Sequence, residues 1–148
     1  YVKLTLGTTM AITGECFCGE VTFEVTGDVF DARSCHCSRC RKAFSGAGSA
    51  YALVHPGTFK WTKGEALLTS YVNQETAGLQ FCKVCGSTLC GVFNGEVHGV
   101  SLGCLNDDPE VTLARHIFVG SKASWDMIGG DALQFKEYPT PGEFEEEQ

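Results

Sequence analysis

Residues 35–40 read Cys-His-Cys-Ser-Arg-Cys, three thiols inside six positions. A C-x-C step fused to a C-x-x-C step lets three sulfurs converge if an extended segment ends near Cys37 and the chain then turns. Three thiolates around zinc leave one coordination position open, and open positions are what catalytic zinc sites keep. An ion held there would depress the pKa of a bound thiol or water, or polarise a carbonyl. Arg39, Arg41 and Lys42 follow at once and would favour an anionic ligand, so these three cations are the candidate ligand-binding residues. The glycine-bearing run 44–49, Phe-Ser-Gly-Ala-Gly-Ser, offers backbone amides that could cup a carboxylate. The competing reading is a closed site, completed by His36, Cys90 or Cys104. In an extended segment His36 faces away from its neighbours, which suits packing or support of the ligands better than ligation.

A second set of thiols comes from two distant stretches, Cys16-x-Cys18 and Cys82-x-x-Cys85. Side chains at i and i+2 of an extended chain share a face. The two-residue gap at 82–85 curls the backbone around an ion, and Gly86 supplies a left-handed turn. Four thiolates make a closed structural zinc site that would couple metal binding to folding. A redox dithiol at Cys82 and Cys85 is the alternative; such dithiols usually sit between a strand and a helix.

The elements that must position these residues read as mainly β. Val21, Phe23 and Val25 alternate with Thr22 and Glu24. Short strands are expected at 49–54, 58–61, 67–72, 79–82, 88–93, 97–103 and 115–120, separated by turn residues. One short C-terminal helix is expected in the run 122–130, with Ser121 as its cap and Gly129 as its end. At most a half-turn of helix is expected after Cys40. His55 reads as an exposed turn residue, His116 as a partly buried one, and Trp61 and Trp125 as core or pocket-wall residues.

At 148 residues the chain fits one domain, and 43% apolar residues suffice for a core. A formal charge of −7 disfavours nucleic acid or an anionic membrane as partner. The nine cysteines are odd in number and no secretory signal is evident, so reduced, metal-bound thiols and a cytoplasmic location are expected. Met10 stands just before the first patterned segment. Residues 1–11 are therefore expected to be a leader or an expression remnant, 12–138 the zinc domain, and 139–148 an acidic tail.

Four stretches taken in order, GECFCGEVTFEV, CHCSRCRKAFSG, FCKVCGSTL and HIFVGSKASWDMI, resemble the glutathione-dependent formaldehyde-activating (GFA) family, whose domain centromere protein V shares. The resemblance covers about residues 13–135. It implies a zinc-bearing β-tent of small antiparallel sheets, with structural zinc on Cys16, Cys18, Cys82 and Cys85. It further implies an activity-associated zinc on Cys35, Cys37 and Cys40. The implied reaction is addition of glutathione's thiol to formaldehyde, formally that of a carbon–sulfur lyase run in the bond-making direction. A non-catalytic thiol carrier and a zinc-stabilised interaction module are the alternatives.

Overall fold

The structure is a computed structural model, and it describes residues 11–140. Residues 1–10 of the expected leader and 141–148 of the expected acidic tail lie outside the described residues. Ala11 opens the first strand.

Two sheets account for the architecture. In the smaller, β1 (Ala11–Glu15), β2 (Thr22–Thr26) and β5 (Phe59–Lys63) pair antiparallel in the order β1-β2-β5. The larger sheet adds β3 (Val29–Cys35), β4 (Ser49–Val54), β6 (Leu68–Val72), β7 (Ala77–Cys82), β8 (Thr88–Phe93), β9 (Glu96–Ser101), β10 (Arg115–Ile117) and β11 (Leu133–Gln134). Their order is β11-β10-β3-β4-β9-β8-β7-β6. Pairing is antiparallel except at one edge, where β10 runs parallel to both β3 and β11. The mainly-β expectation therefore holds, with a parallel edge that short-range turn signals do not reveal. Among the described residues no helix is long and apolar enough to cross a membrane.

The alternation at 21–25 does what its period demands: Val21, Phe23 and Val25 are all buried. They meet Ala32, Ala52, Val54, Leu89 and Val100 from the larger sheet, so the core lies between the two sheets. Phe23 stacks on Phe59 at 5.2 Å and takes the edge of Trp61 at 5.9 Å. Cys16 and Cys82 belong to this same core cluster, which seats the four-cysteine group against it.

The helix is not where the sequence suggests. The one α-helix among the described residues is α1 (Ser38–Phe44), a full two turns starting inside the three-cysteine motif. Cys37 caps it: its sulfur accepts from the Cys40 backbone N–H at 3.3 Å. Arg41 and Lys42 fall in its last turn, beside the negative end of the helix dipole, and Ser45 ends it with a left-handed backbone. The expected helix at 121–129 is instead a 3-10 turn (Val119–Ser121) followed by irregular chain. Its bonds are of the tighter i to i−3 type, Ser121 to Phe118, Lys122 to Val119 and Asp126 to Ala123. The Lys122 ammonium donates to the Ala123 and Asp126 carbonyls at 3.3 and 2.7 Å. So short a segment, ending in Gly129 and Gly130, gains too few helical bonds to offset nucleation. Trp125, expected in the core or a pocket wall, is 70% exposed on this stretch.

Candidate metal centres

The first centre joins two tight turns. Cys16 follows β1, its backbone N–H bonded to the Val21 carbonyl at 3.0 Å and its carbonyl to the Gly19 N–H at 3.0 Å. The pair Cys16 and Cys18 thus sits in a turn, not on the extended strand that the i, i+2 spacing suggests. At the end of β7, Gly86 donates to the Cys82 carbonyl at 2.8 Å with φ +81°, the left-handed turn expected there. Ser87 stitches the turns together: its hydroxyl accepts from the Phe17 N–H at 2.8 Å and lies 3.3 Å from the Cys85 sulfur.

The four sulfurs all lie within 4.8 Å of one another. Cys16 and Cys18 are 3.5 Å apart, and Cys18 and Cys82 3.9 Å. Tetrahedral zinc with Zn–S bonds of about 2.3 Å sets its sulfurs about 3.8 Å apart, so the donor set fits that ion. Burial raises the Cys85 thiol, but the Ser87 hydroxyl, the Ser87 backbone and the Cys18 contacts outweigh it and bring it down to about 5. A thiol held as thiolate is what a metal ligand must be.

The second centre is built by the end of β3 and the start of α1. Cys35 closes the strand, buried, and Cys37 and Cys40 lie half-buried at the helix start. Their three sulfurs also lie within 4.8 Å of one another. Among the described residues no fourth histidine, cysteine, aspartate or glutamate joins this group. Cys90 and Cys104, weighed above as a closing ligand, are engaged elsewhere: Cys90 donates toward the Gln80 side chain and Cys104 toward the Thr88 carbonyl, each at 3.5 Å. The Cys40 thiol is lowered to about 6, chiefly by its bond with Cys35; Ser49, Cys37 and the Arg39 charge add to that. Cys35 is pushed up by the same bond and by burial. Gly48 lets the chain return close by: a Cβ there would stand 2.4 Å from the Cys35 carbonyl oxygen.

The three cations do not converge equally. Arg39 is exposed on α1 and its charge reaches Cys40; Lys42 is exposed, and Arg41 is half-buried with its Nε enclosed. His36 lies one residue past the end of β3, and its ring is engaged by His116 and Asp126. Its Nε2 lies 2.9 Å from His116 Nδ1, and its Nδ1 lies 3.8 Å from Asp126. Burial and the neighbouring His116 lower its pKa. His55 keeps a half-exposed place, ring-stacked on Phe30 at 4.3 Å and 3.2 Å from Asp28.

Reading the sequence alone missed β3 as a strand, and with it a charged group on the same sheet. Asp31 pairs with both Arg33 and Arg115, the latter at 3.1 Å, and the Arg33 guanidinium lies 5.8 Å from the Tyr51 ring centre. The one available signal was two opposite charges two residues apart ahead of Cys35.

Residues 11–121 match the profile of the family described as glutathione-dependent formaldehyde-activating enzyme. A protein of Halomonas elongata, named "Putative glutathione-dependent formaldehyde-activating enzyme", is 31% identical over 127 residues, covering 78% of this chain and 80% of its own. A crystal structure of a Rhodobacter sphaeroides protein is similar at a TM-score of 0.52 and 31% identity, over 66% of this chain and 91% of that one. With a match spanning both cysteine centres, this chain belongs to the glutathione-dependent formaldehyde-activating enzyme family.

Proposed function

We propose that the protein adds a small, glutathione-like thiol to formaldehyde or a related aldehyde. In this reading Cys16, Cys18, Cys82 and Cys85 hold a structural zinc, and Cys35, Cys37 and Cys40 hold a second zinc with one position left for a ligand. The observation that carries it is the contrast in ligand number: four converging sulfurs in one centre, three in the other.

A zinc ion held by three thiolates supplies positive charge that lowers the pKa of a thiol brought beside it. The protein groups do the rest. Cys35 sits rigidly at a strand end, and Cys37 and Cys40 are locked by the cap of α1, so the three ligands are set before substrate arrives. Arg39, with Arg41 and Lys42 further along the helix, gives this end of the molecule a positive field that offsets an incoming thiolate. The substrate's S–H bond breaks and a sulfur–carbon bond forms. The carbonyl π pair passes to oxygen, which takes up one proton for the one the thiol lost. The product is a hydroxymethyl thioether, and no oxidant or reductant is consumed.

The test is exchange NMR on formaldehyde and glutathione with catalytic amounts of zinc-loaded protein. Faster interconversion of free thiol and adduct with wild type, absent in Cys37→Ser, supports the reading. Saturable glutathione binding without faster exchange would make the protein a carrier instead.

A further inference from the structure

An unpaired sheet edge is a template for another strand, and proteins usually guard it with charge, proline, a bulge or a covering loop. The two sheets end on β1, β5, β11 and β6. The first three are guarded. Against β1 lies the loop after β9: the Asn106 N–H donates to the Thr13 carbonyl at 2.8 Å, and Gly14 bridges to Leu105. β5 carries Lys60 and Lys63, whose charges oppose a neighbouring strand. β11 is two residues long.

β6 has none of these guards among the described residues. Its sequence, Leu68-Thr69-Ser70-Tyr71-Val72, holds no charge and no proline. Its register with β7 runs unbroken from Leu68–Cys82 to Val72–Gly78. Past Leu68 every residue is exposed, and the apolar bulk is part of that exposure, with Tyr71 at 67% and Val72 at 51%.

The bonds at its two ends fix which groups are free. The Lys83 N–H donates to the Leu67 carbonyl and the Asn73 N–H to the Ala77 carbonyl, each at 2.9 Å. Hydrogen-bonded positions alternate along an antiparallel pair. Thr69 and Tyr71 therefore bond to β7, and the N–H and C=O groups of Leu68, Ser70 and Val72 point to the open edge.

That pattern is its own complement. Turned about a twofold axis at Ser70, a second β6 runs antiparallel to the first. Leu68 then meets the second copy's Val72, Ser70 meets its equivalent, and every outward N–H finds an outward C=O. The side chains agree: Thr69 falls opposite the second copy's Tyr71, a β-branched and aromatic pairing that stabilises sheets. Further out, Glu65 would face Glu75 with like charge, which confines the pairing to the strand itself.

We propose that β6 is an interface between two copies of this chain, joined edge to edge into one continuous sheet with Ser70 on the twofold axis. β3, which carries Cys35, is separated from β6 by β4, β9, β8 and β7, so the three-cysteine centre stays clear of the contact. Strands this short bury less than the roughly 1,200 Å² of tight complexes, so the dimer forms reversibly as concentration rises.

Sedimentation velocity on the zinc-loaded chain tests this. Wild type should pass from monomer to dimer over a roughly hundredfold rise in concentration through the micromolar range. Ser70→Lys and Ser70→Glu each set like charges opposite one another at the axis and should stay monomeric. Mixed in equal amounts, the two variants should recover the dimer, which misfolded chains could not do. A wild type that stays monomeric, as it would if another segment of this chain or an unlike protein were the true occupant, overturns the proposal. So does a dimer that Ser70→Lys leaves intact, which would place the contact elsewhere, and so does a mixture that fails to associate.

Discussion

His36 Nε2 and His116 Nδ1 lie 2.9 Å apart, both rings buried, where the end of β3 meets β10. The bond clamps the strand end that carries Cys35 to β10, and the His36 N–H to Ile117 carbonyl bond of 2.9 Å runs beside it. One ring must donate and the other accept. His116→Ala leaves a buried ring nitrogen unpaired, and should cost about 1–3 kcal/mol in urea unfolding. It should also speed zinc loss from the second centre to a chelator while sparing the first. Equal loss from both centres would mean that the pair serves general stability only.

The two centres should fail differently. Cys82→Ser opens the group that links β1 to β7 and should cost roughly 3 kcal/mol or more of folding stability in zinc-replete buffer. Cys37→Ser should leave far-UV circular dichroism intact, lower bound zinc from two ions to one, and abolish thiol exchange. If both variants unfold alike, the division of roles is wrong.

Gly48 tests how closely the second centre is packed. A Cβ there meets the Cys35 carbonyl at 2.4 Å, and backbone cannot yield as a flexible side chain does. Gly48→Ala should cost about 1–3 kcal/mol and reduce zinc affinity at Cys35, Cys37 and Cys40. Thermal unfolding and zinc titration read the two effects; unchanged zinc affinity would separate the loop from the site.

A pH signature belongs to Asp107. The Thr13 N–H and hydroxyl donate to its carboxylate at 2.7 and 2.9 Å, tying β1 to the loop after β9. Those bonds hold its pKa below the ordinary 3.8. A carboxyl whose folded pKa is depressed contributes stability above its unfolded value and loses it as pH falls through the folded one. Asp107→Ala should therefore unfold at lower temperature than wild type at neutral pH, with the gap closing below about pH 3.8. A gap independent of pH would show that the charge is irrelevant.

The thiol groups were legible in sequence because each depends on spacings of two or three residues, and the Val21, Phe23, Val25 alternation was legible for the same reason. β3 was not. Asp31 and Arg33 put charges where a half-buried strand normally alternates, and their partner Arg115 lies 82 residues away, a pairing no local pattern carries. The His36–His116 bond spans 80 residues and was hidden likewise. α1 was read as a half-turn because its first turn holds cysteines chosen for sulfur chemistry and not for helix propensity. The stretch after Ser121 has helical composition over too short a length, and side-chain bonds from Lys122 fix it as irregular chain.

Unequal ligation of two ions is the central claim, and anomalous diffraction at the zinc edge from zinc-loaded crystals tests it most directly. Two peaks should emerge, one enclosed by Cys16, Cys18, Cys82 and Cys85, the other held by Cys35, Cys37 and Cys40 with its fourth position filled by solvent or an added thiol. A fourth protein side chain on the second ion, or no second peak, would contradict the account.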